Sequence, residues 1–153
     1  MTNLRLKRVK EDFMRRGLVL LLAAPVLAFG INLVANEKPT AEFQALMRST
    51  AAAAGPMGLR GHVPAKDYDA IAKDAATLKG NFTKIETFWS EKKVADAVTF
   101  AKNGHEAAED LEKAAQAKDD AKIAAANMTL GAQCAGCHTA HREQLPDKSF
   151  EIK

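Results

Sequence analysis

Residues 123–141 read IAAANMTLGAQCAGCHTAH, and they decide how the rest of the chain is read. Ile123, Asn127, Leu130, Cys134, Cys137 and His141 step by four and three, which draws one stripe along a single helix. The same stretch holds Cys134-Ala135-Gly136-Cys137-His138, two thiols three apart followed at once by an imidazole. That spacing is the attachment pattern for c-type haem. Positions i, i+3 and i+4 share a helix face, so both thiols can bond to one porphyrin while His138 reaches the iron from beneath it.

Three plainer readings compete with haem. Zinc usually takes four ligands from separated segments, whereas Cys134, Cys137, His138 and His141 crowd two turns and no second cysteine pair exists. A redox-active dithiol belongs beside a βαβ pattern, and no strand pattern is present. A disulfide between residues three apart would close almost no loop and stabilise little.

Working outward, the 153 residues allow one domain with a short appendage. Much of the apolar content is alanine, with one Trp and one Tyr, which suits close-packed helices better than a sheet. The net charge of +3 divides unevenly. Residues 1–35 carry six basic and two acidic side chains, and the remainder carries sixteen basic and seventeen acidic. The part expected to fold therefore offers no positive field to nucleic acid, and that class of partner is excluded.

Residues 17–35, GLVLLLAAPVLAFGINLVA, run uncharged behind a basic segment. Basic residues before an apolar run hold the N-terminus in the cytoplasm and send the downstream chain across the membrane. The run has the length of a spanning anchor and exceeds an ordinary signal-peptide core of about 7–15 residues. The competing reading starts at Met14 and gives a signal peptide of ordinary shape, with Leu33-Val34-Ala35 as a mediocre cleavage site.

Past Pro39 the pattern is helical. Thr40 caps a first helix with the stripe Phe43, Met47, Thr50, Ala54 and Met57, kinked or ended by Gly55-Pro56. Gly58, Gly61 and Pro64 mark a loop. A second helix over about 65–89 carries Tyr68, Ile71, Ala75, Leu78, Phe82, Ile85 and Trp89, with a possible break at Gly80-Asn81. A third carries Val94, Ala97, Val98, Ala101, His105, Ala108, Leu111 and Ala115, with Gly104 inside it. Lys118-Asp119-Asp120 is the turn into the last helix, which Pro146 closes, and 146–153 is a tail. The fold class is all-α: an antiparallel four-helix bundle over 39–145, preceded by the anchor or signal helix of 1–35.

This arrangement resembles the cytochrome c-prime family over roughly residues 39–145. The carrying features are the haem motif on the last of four helices, with Arg142 four residues beyond His138. Gln44 to Arg48, Gly61 to Pro64 before Tyr68-Asp69-Ala70, and Trp89 followed by Phe100 also match. His141 departs from the family, which often has tyrosine there, and the first helix and loop are displaced by about two residues. Members differ in whether a first-helix methionine fills the sixth iron position, and Met47 matches the ligating position. The resemblance further implies a homodimer through the first two helices and a haem attached outside the cytoplasm.

Met47 as iron ligand competes with Met47 as core packing, a common use of a flexible side chain. Met57, ten residues on, is the substitute. Arg142 is placed near His138 or a haem propionate, or else is a solvated arginine at a helix C-terminus. His141 is expected partly solvated at the haem edge, His105 packed or hydrogen-bonded, His62 uninformative, and Trp89 and Phe100 as core or haem-packing aromatics. No catalytic constellation accompanies them, so the chain reads as a non-enzyme.

Three functions arise as expectations. The first is an electron carrier with one haem c, its iron (the metal) bound by His138 and Met47, serving a redox partner protein on the periplasmic side of a bacterial inner membrane. The second is a five-coordinate haem protein that binds nitric oxide or carbon monoxide. The third is an anchored haem subunit of a membrane complex, held by residues 17–35. In each, the first and last helices are expected to pack together with the haem between them.

Overall fold

A computed structural model describes residues 36–153. The expectations for the basic segment and the apolar run, 1–35, lie outside the described residues. Among the described residues no helix is long and apolar enough to cross a membrane.

The elements run in the order α1 (Ala41–Ala54), α2 (Leu59–Ala65), α3 (Tyr68–Lys92), α4 (Ala95–Gln116), α5 (Asp120–His141), β1 (Arg142–Gln144) and β2 (Phe150–Ile152). Helix starts are set by caps that offer a side-chain oxygen to orphan backbone donors. The N–H of Phe43 donates to Thr40 Oγ1 at 3.2 Å, that of Ala70 to Asp67 Oδ1 at 3.1 Å, and that of Lys122 to Asp119 Oδ1 at 3.1 Å. Three of the ends are left-handed lysines, with φ of 54° at Lys66, 59° at Lys93 and 53° at Lys118.

The directions of the four long helices are set by their contacts. Two residues join α3 to α4 and three join α4 to α5, and each pair packs along its length, so each is antiparallel. Phe43 stacks on Phe88 at 3.8 Å between ring centroids, and Asn81 Nδ2 donates to Ser49 Oγ at 3.1 Å. The start of α1 therefore meets the end of α3, and α1 is antiparallel to it as well. The result is an up-down-up-down bundle.

The expected stripes form its core. Ile71, Ala75, Leu78, Phe82, Ile85 and Trp89 of α3 are buried against Ala97, Ala101, Ala108, Leu111 and Ala115 of α4. Ile123 and Leu130 of α5 close the cluster.

Several details differ from the sequence reading. The loop expected at Gly58–Pro64 is the short helix α2, which tolerates Pro64 near its end at the cost of one backbone donor. The second helix begins at Tyr68, after Lys66 turns left-handed, and runs unbroken through Gly80-Asn81 to Lys92. Asn81, buried, gives its amide to Ser49 across the helix pair, which holds the chain helical there. The last helix ends at His141, ahead of Pro146, because Arg142 goes extended to start a hairpin. In that hairpin Arg142 pairs with Ile152 and Gln144 with Phe150.

The tail is therefore built structure. Glu37 bridges Ile152 in the antiparallel sense, with N–H···O bonds of 2.9 and 2.8 Å in the two directions. Lys92 pairs with the Glu37 carboxylate, and Asn36 Nδ2 donates to Glu143 Oε2 at 2.6 Å. Both ends of the described chain meet at the same end of the bundle.

Candidate functional site

The helix α1 leans on α3 and α2, and it does not pack along α5 as expected. Between α1 and α5 lies a cleft of about 650 Å³. Helix α5 brings Cys134, Cys137, His138 and His141 to its wall, and α1 brings Met47 from the opposite side. Phe82, Ile85 and Trp89 of α3 and Phe100 of α4 form an apolar floor, and Arg142, Phe150 and Ile152 of the hairpin reach the mouth. The volume is ordinary for a cofactor site lined mainly by apolar side chains.

The sequence-predicted residues are thus brought together. Met47 is half-buried at the edge of the core. Met57 lies beyond the end of α1 and is 89 % exposed, outside the cleft. Arg142 is the exposed C-cap residue of α5, its backbone N–H donating to the His138 carbonyl, and it starts β1 with its guanidinium 3.4 Å from the centre of the Phe150 ring. That stacking fixes the charge at the mouth of the cleft.

The thiols of Cys134 and Cys137 are free, not bonded to each other. Burial pushes the Cys134 thiol up, and burial, with Cys134 and Asp96 nearby, pushes Cys137 up to about 11. Both therefore stay protonated near neutral pH, which makes them poor nucleophiles for disulfide exchange. His138 is pushed down by burial and then by the Arg142 charge. It is held as neutral imidazole, the form that binds iron.

Gly136, inside the motif, has a structural reason. A Cβ there would lie 2.5 Å from the Phe100 ring, so the glycine lets that ring lie flat against the cysteine-bearing turn. His141 Nε2 meets Asp96 Oδ2 at 2.9 Å, and its ring lies 5.1 Å from Trp89. With its side chain only 11 % exposed, it is more enclosed than expected. His105 is hydrogen-bonded to Thr83 at 3.2 Å, and His62 pairs with Asp74 at 2.7 Å. Both stand outside the cleft lining.

Trp89 is 3 % exposed, and its Nε1 is the one buried side-chain polar atom without a partner among the described residues. Leaving a buried donor unmet costs about 1–3 kcal/mol. The hairpin residues Phe150 and Ile152 were missed as site residues by sequence reasoning. Their one signal, apolar residues alternating around Glu151, is too short to distinguish a strand from a tail.

The donor set and the cleft fit a c-type haem. Two unpaired thiols and a neutral imidazole share one helix face, a thioether stands opposite, and the wall between is apolar. When bound, such a group supplies one-electron redox chemistry at iron. Among the described residues no three of His, Cys, Asp and Glu converge on a metal ion by themselves. Comparison of the chain with family models, curated proteins and solved structures returns no match.

Proposed function

We propose that the chain is a c-type cytochrome of the cytochrome c-prime kind. One haem is bound covalently through Cys134 and Cys137, with His138 and Met47 as axial ligands, and electrons pass to a redox partner protein outside the cytoplasm. The observation that carries this reading is the placement of Met47 on α1 facing Cys134, Cys137 and His138 on α5 across a cofactor-sized apolar cleft. A thioether favours ferrous iron and raises the potential, as electron transfer requires. The domain works on the periplasmic side of a bacterial inner membrane, with residues 17–35 as its membrane association and a homodimer as its assembly.

The openness of the same cleft favours one alternative. With α1 packed chiefly against α3 and α2, its methionine can stay off the iron, and the free position then takes nitric oxide or carbon monoxide.

The ferric absorption spectra of the unmodified protein and of Met47→Ala, recorded side by side, test the reading. The unmodified protein should be low-spin with a weak near-infrared sulfur-to-iron band, and the variant high-spin and open to carbon monoxide. Two high-spin spectra would make Met47 a packing residue and hand first place to gas binding. Haem should survive denaturation in the unmodified protein and be lost in the Cys134→Ala, Cys137→Ala double variant. A denatured unmodified chain without haem would sink the whole reading.

A further inference from the structure

We infer that the hairpin of β1 and β2 is a lid on the cleft, hinged at Arg142 and clasped through Glu37 and Ile152, and that a haem filling the cleft holds it shut. The inference rests on the haem reading and adds to it a moving wall that no helix supplies.

Asp147 and residues 149–152 line the cleft together with α1 and α5, so one of its walls is hairpin and not helix. That wall is lightly held. Its strands are three residues each, and a two-stranded hairpin is marginal in water by itself. From Arg142 to Ile152 only Ile152 is buried. The strands lie chiefly on each other and on the end of α5. Beyond the Ile152 side chain, the ties to the rest of the chain are polar and few. They are the two backbone bonds between Glu37 and Ile152, the Asn36 amide to Glu143, and the Lys153 N–H to the His141 carbonyl at 3.3 Å. The hinge is Arg142, extended at φ −128° and ψ 129° directly after the last helical residue. A segment with so few buried contacts opens locally while the rest of the fold stays closed.

What fills the cleft decides how firmly the lid closes. Phe150 and Ile152 both line it, and Phe150 is only half-buried. A flat apolar ligand in the cleft would cover Phe150 surface that is still open to water, and it would do so only with the lid closed. Apolar surface taken from water stabilises the state that covers it. A ligand that gains contacts in one of two states shifts the population toward that state. The helix that carries the hinge also carries Cys134, Cys137 and His138, so a haem fixed to α5 and the lid share one cleft. Shut, the lid keeps water from that side of the cofactor, and solvent access is one of the levers that tune an iron site.

Amide hydrogen exchange tests the lid. The N–H groups of Glu37 and Ile152 make the clasp and read its opening, and that of Leu111, a fully buried residue of α4, reports on the bundle. Rates corrected for intrinsic exchange are compared in the full haem-bound chain and in the haem-free Cys134→Ala, Cys137→Ala variant. Without haem, both clasp amides should exchange about tenfold faster than Leu111 or more, because they open locally. Haem should slow them by about tenfold or more, whereas a ligand that does not touch the hairpin leaves its local opening unchanged. Clasp amides as slow as Leu111 without haem, or unchanged by haem, overturn the proposal and leave the haem reading intact. A chain shown by denaturing gel to carry no haem overturns both. Should the haem-free variant fail to fold, Ile152→Asp in the haem-bound chain decides. It puts a charge at the one buried side chain of the lid, so the lid should open. The shift that ethylene glycol causes in the haem absorption should then grow by about twofold or more, as the cofactor loses a wall. An unchanged shift overturns the proposal.

Discussion

Two helix pairs in this bundle are built on opposite terms. In α3 and α4, large residues of one helix sit against alanines of the other, and Ile71, Ala75, Leu78, Ala97, Ala108 and Leu111 lose all contact with water. In α1 and α5, facing residues are held apart by a cleft of about 650 Å³. The first pair is closed as protein interiors usually are, at the density of an organic crystal. The second leaves unfilled the space that a ligand would fill. On the proposed reading, function sits where packing is withheld, while the closed pair supplies the buried core.

The comparison can be broken most directly by truncating one side chain on each side in the haem-free protein. Leu111→Ala should cost about 2–5 kcal/mol, the usual loss for a fully buried leucine. Met47→Ala, from a half-buried residue on the cleft, should cost less than about 2 kcal/mol, because much of its volume already faces open space. Urea unfolding midpoints measure both, and equal losses would show that the two pairs are alike.

Two glycines sharpen the same contrast. A Cβ on Gly104 would lie 2.3 Å from the Phe82 ring, which also borders the cleft but is buried in the core and more enclosed than Phe100. Gly104→Ala should therefore be destabilising by about 1–3 kcal/mol, the cost of overpacking, in spite of the better helix propensity of alanine. A Cβ on Gly136 would meet Phe100 at 2.5 Å, but that ring borders the cleft and has room to swing. Gly136→Ala should fall within about 1 kcal/mol of the parent in the haem-free chain, because the propensity gain offsets the contact. Thermal unfolding of the two variants decides, and a larger loss at Gly136 would contradict the open-side description.

The smallest expected effect lies at the far end of α5. Asp120 accepts hydrogen bonds from Lys66 and from Tyr68, which hold its carboxyl below the usual range. A carboxyl lowered on folding stabilises at pH values above its unfolded pKa of about 3.9. That contribution fades as pH falls through the lower folded value. Asp120→Asn should thus lower the urea midpoint slightly at neutral pH and match the parent at the acid end. A difference that persists unchanged into acid would assign the effect to something other than the carboxylate charge.

Much of this was legible in the sequence. Stripes spaced by three and four located every long helix, because burial on one face is what sequence periodicity encodes. The cap at Thr40 was readable because a short oxygen-bearing side chain has one common use before a helix. The missed boundaries share a physical cause. The turns at Lys66 and Lys93 use left-handed lysine, a conformation usually signalled by glycine or asparagine, so nothing in the residue type announced them. The hairpin was missed because its strands are three residues long, and because one of them is held by a bridge from Ile152 to Glu37, more than a hundred residues away. The motif Cys134 to His138 was legible as chemistry, but the cleft was not. Periodicity says which face a residue occupies and is silent on whether the facing helices touch.

The bridge between Glu37 and Ile152 closes a ring of about 115 residues. Closing a ring of that size from a loose chain costs about 4 kcal/mol or more in entropy. Two backbone hydrogen bonds return about 1–3 kcal/mol, too little to hold the ends together unaided. The bridge exists only because the helices have already delivered its two halves to the same place. In the order of assembly the helical hairpins come first and the clasp last, so the mouth of the cleft stays ajar until the rest of the bundle is finished, and it is the first thing to part when the bundle loosens.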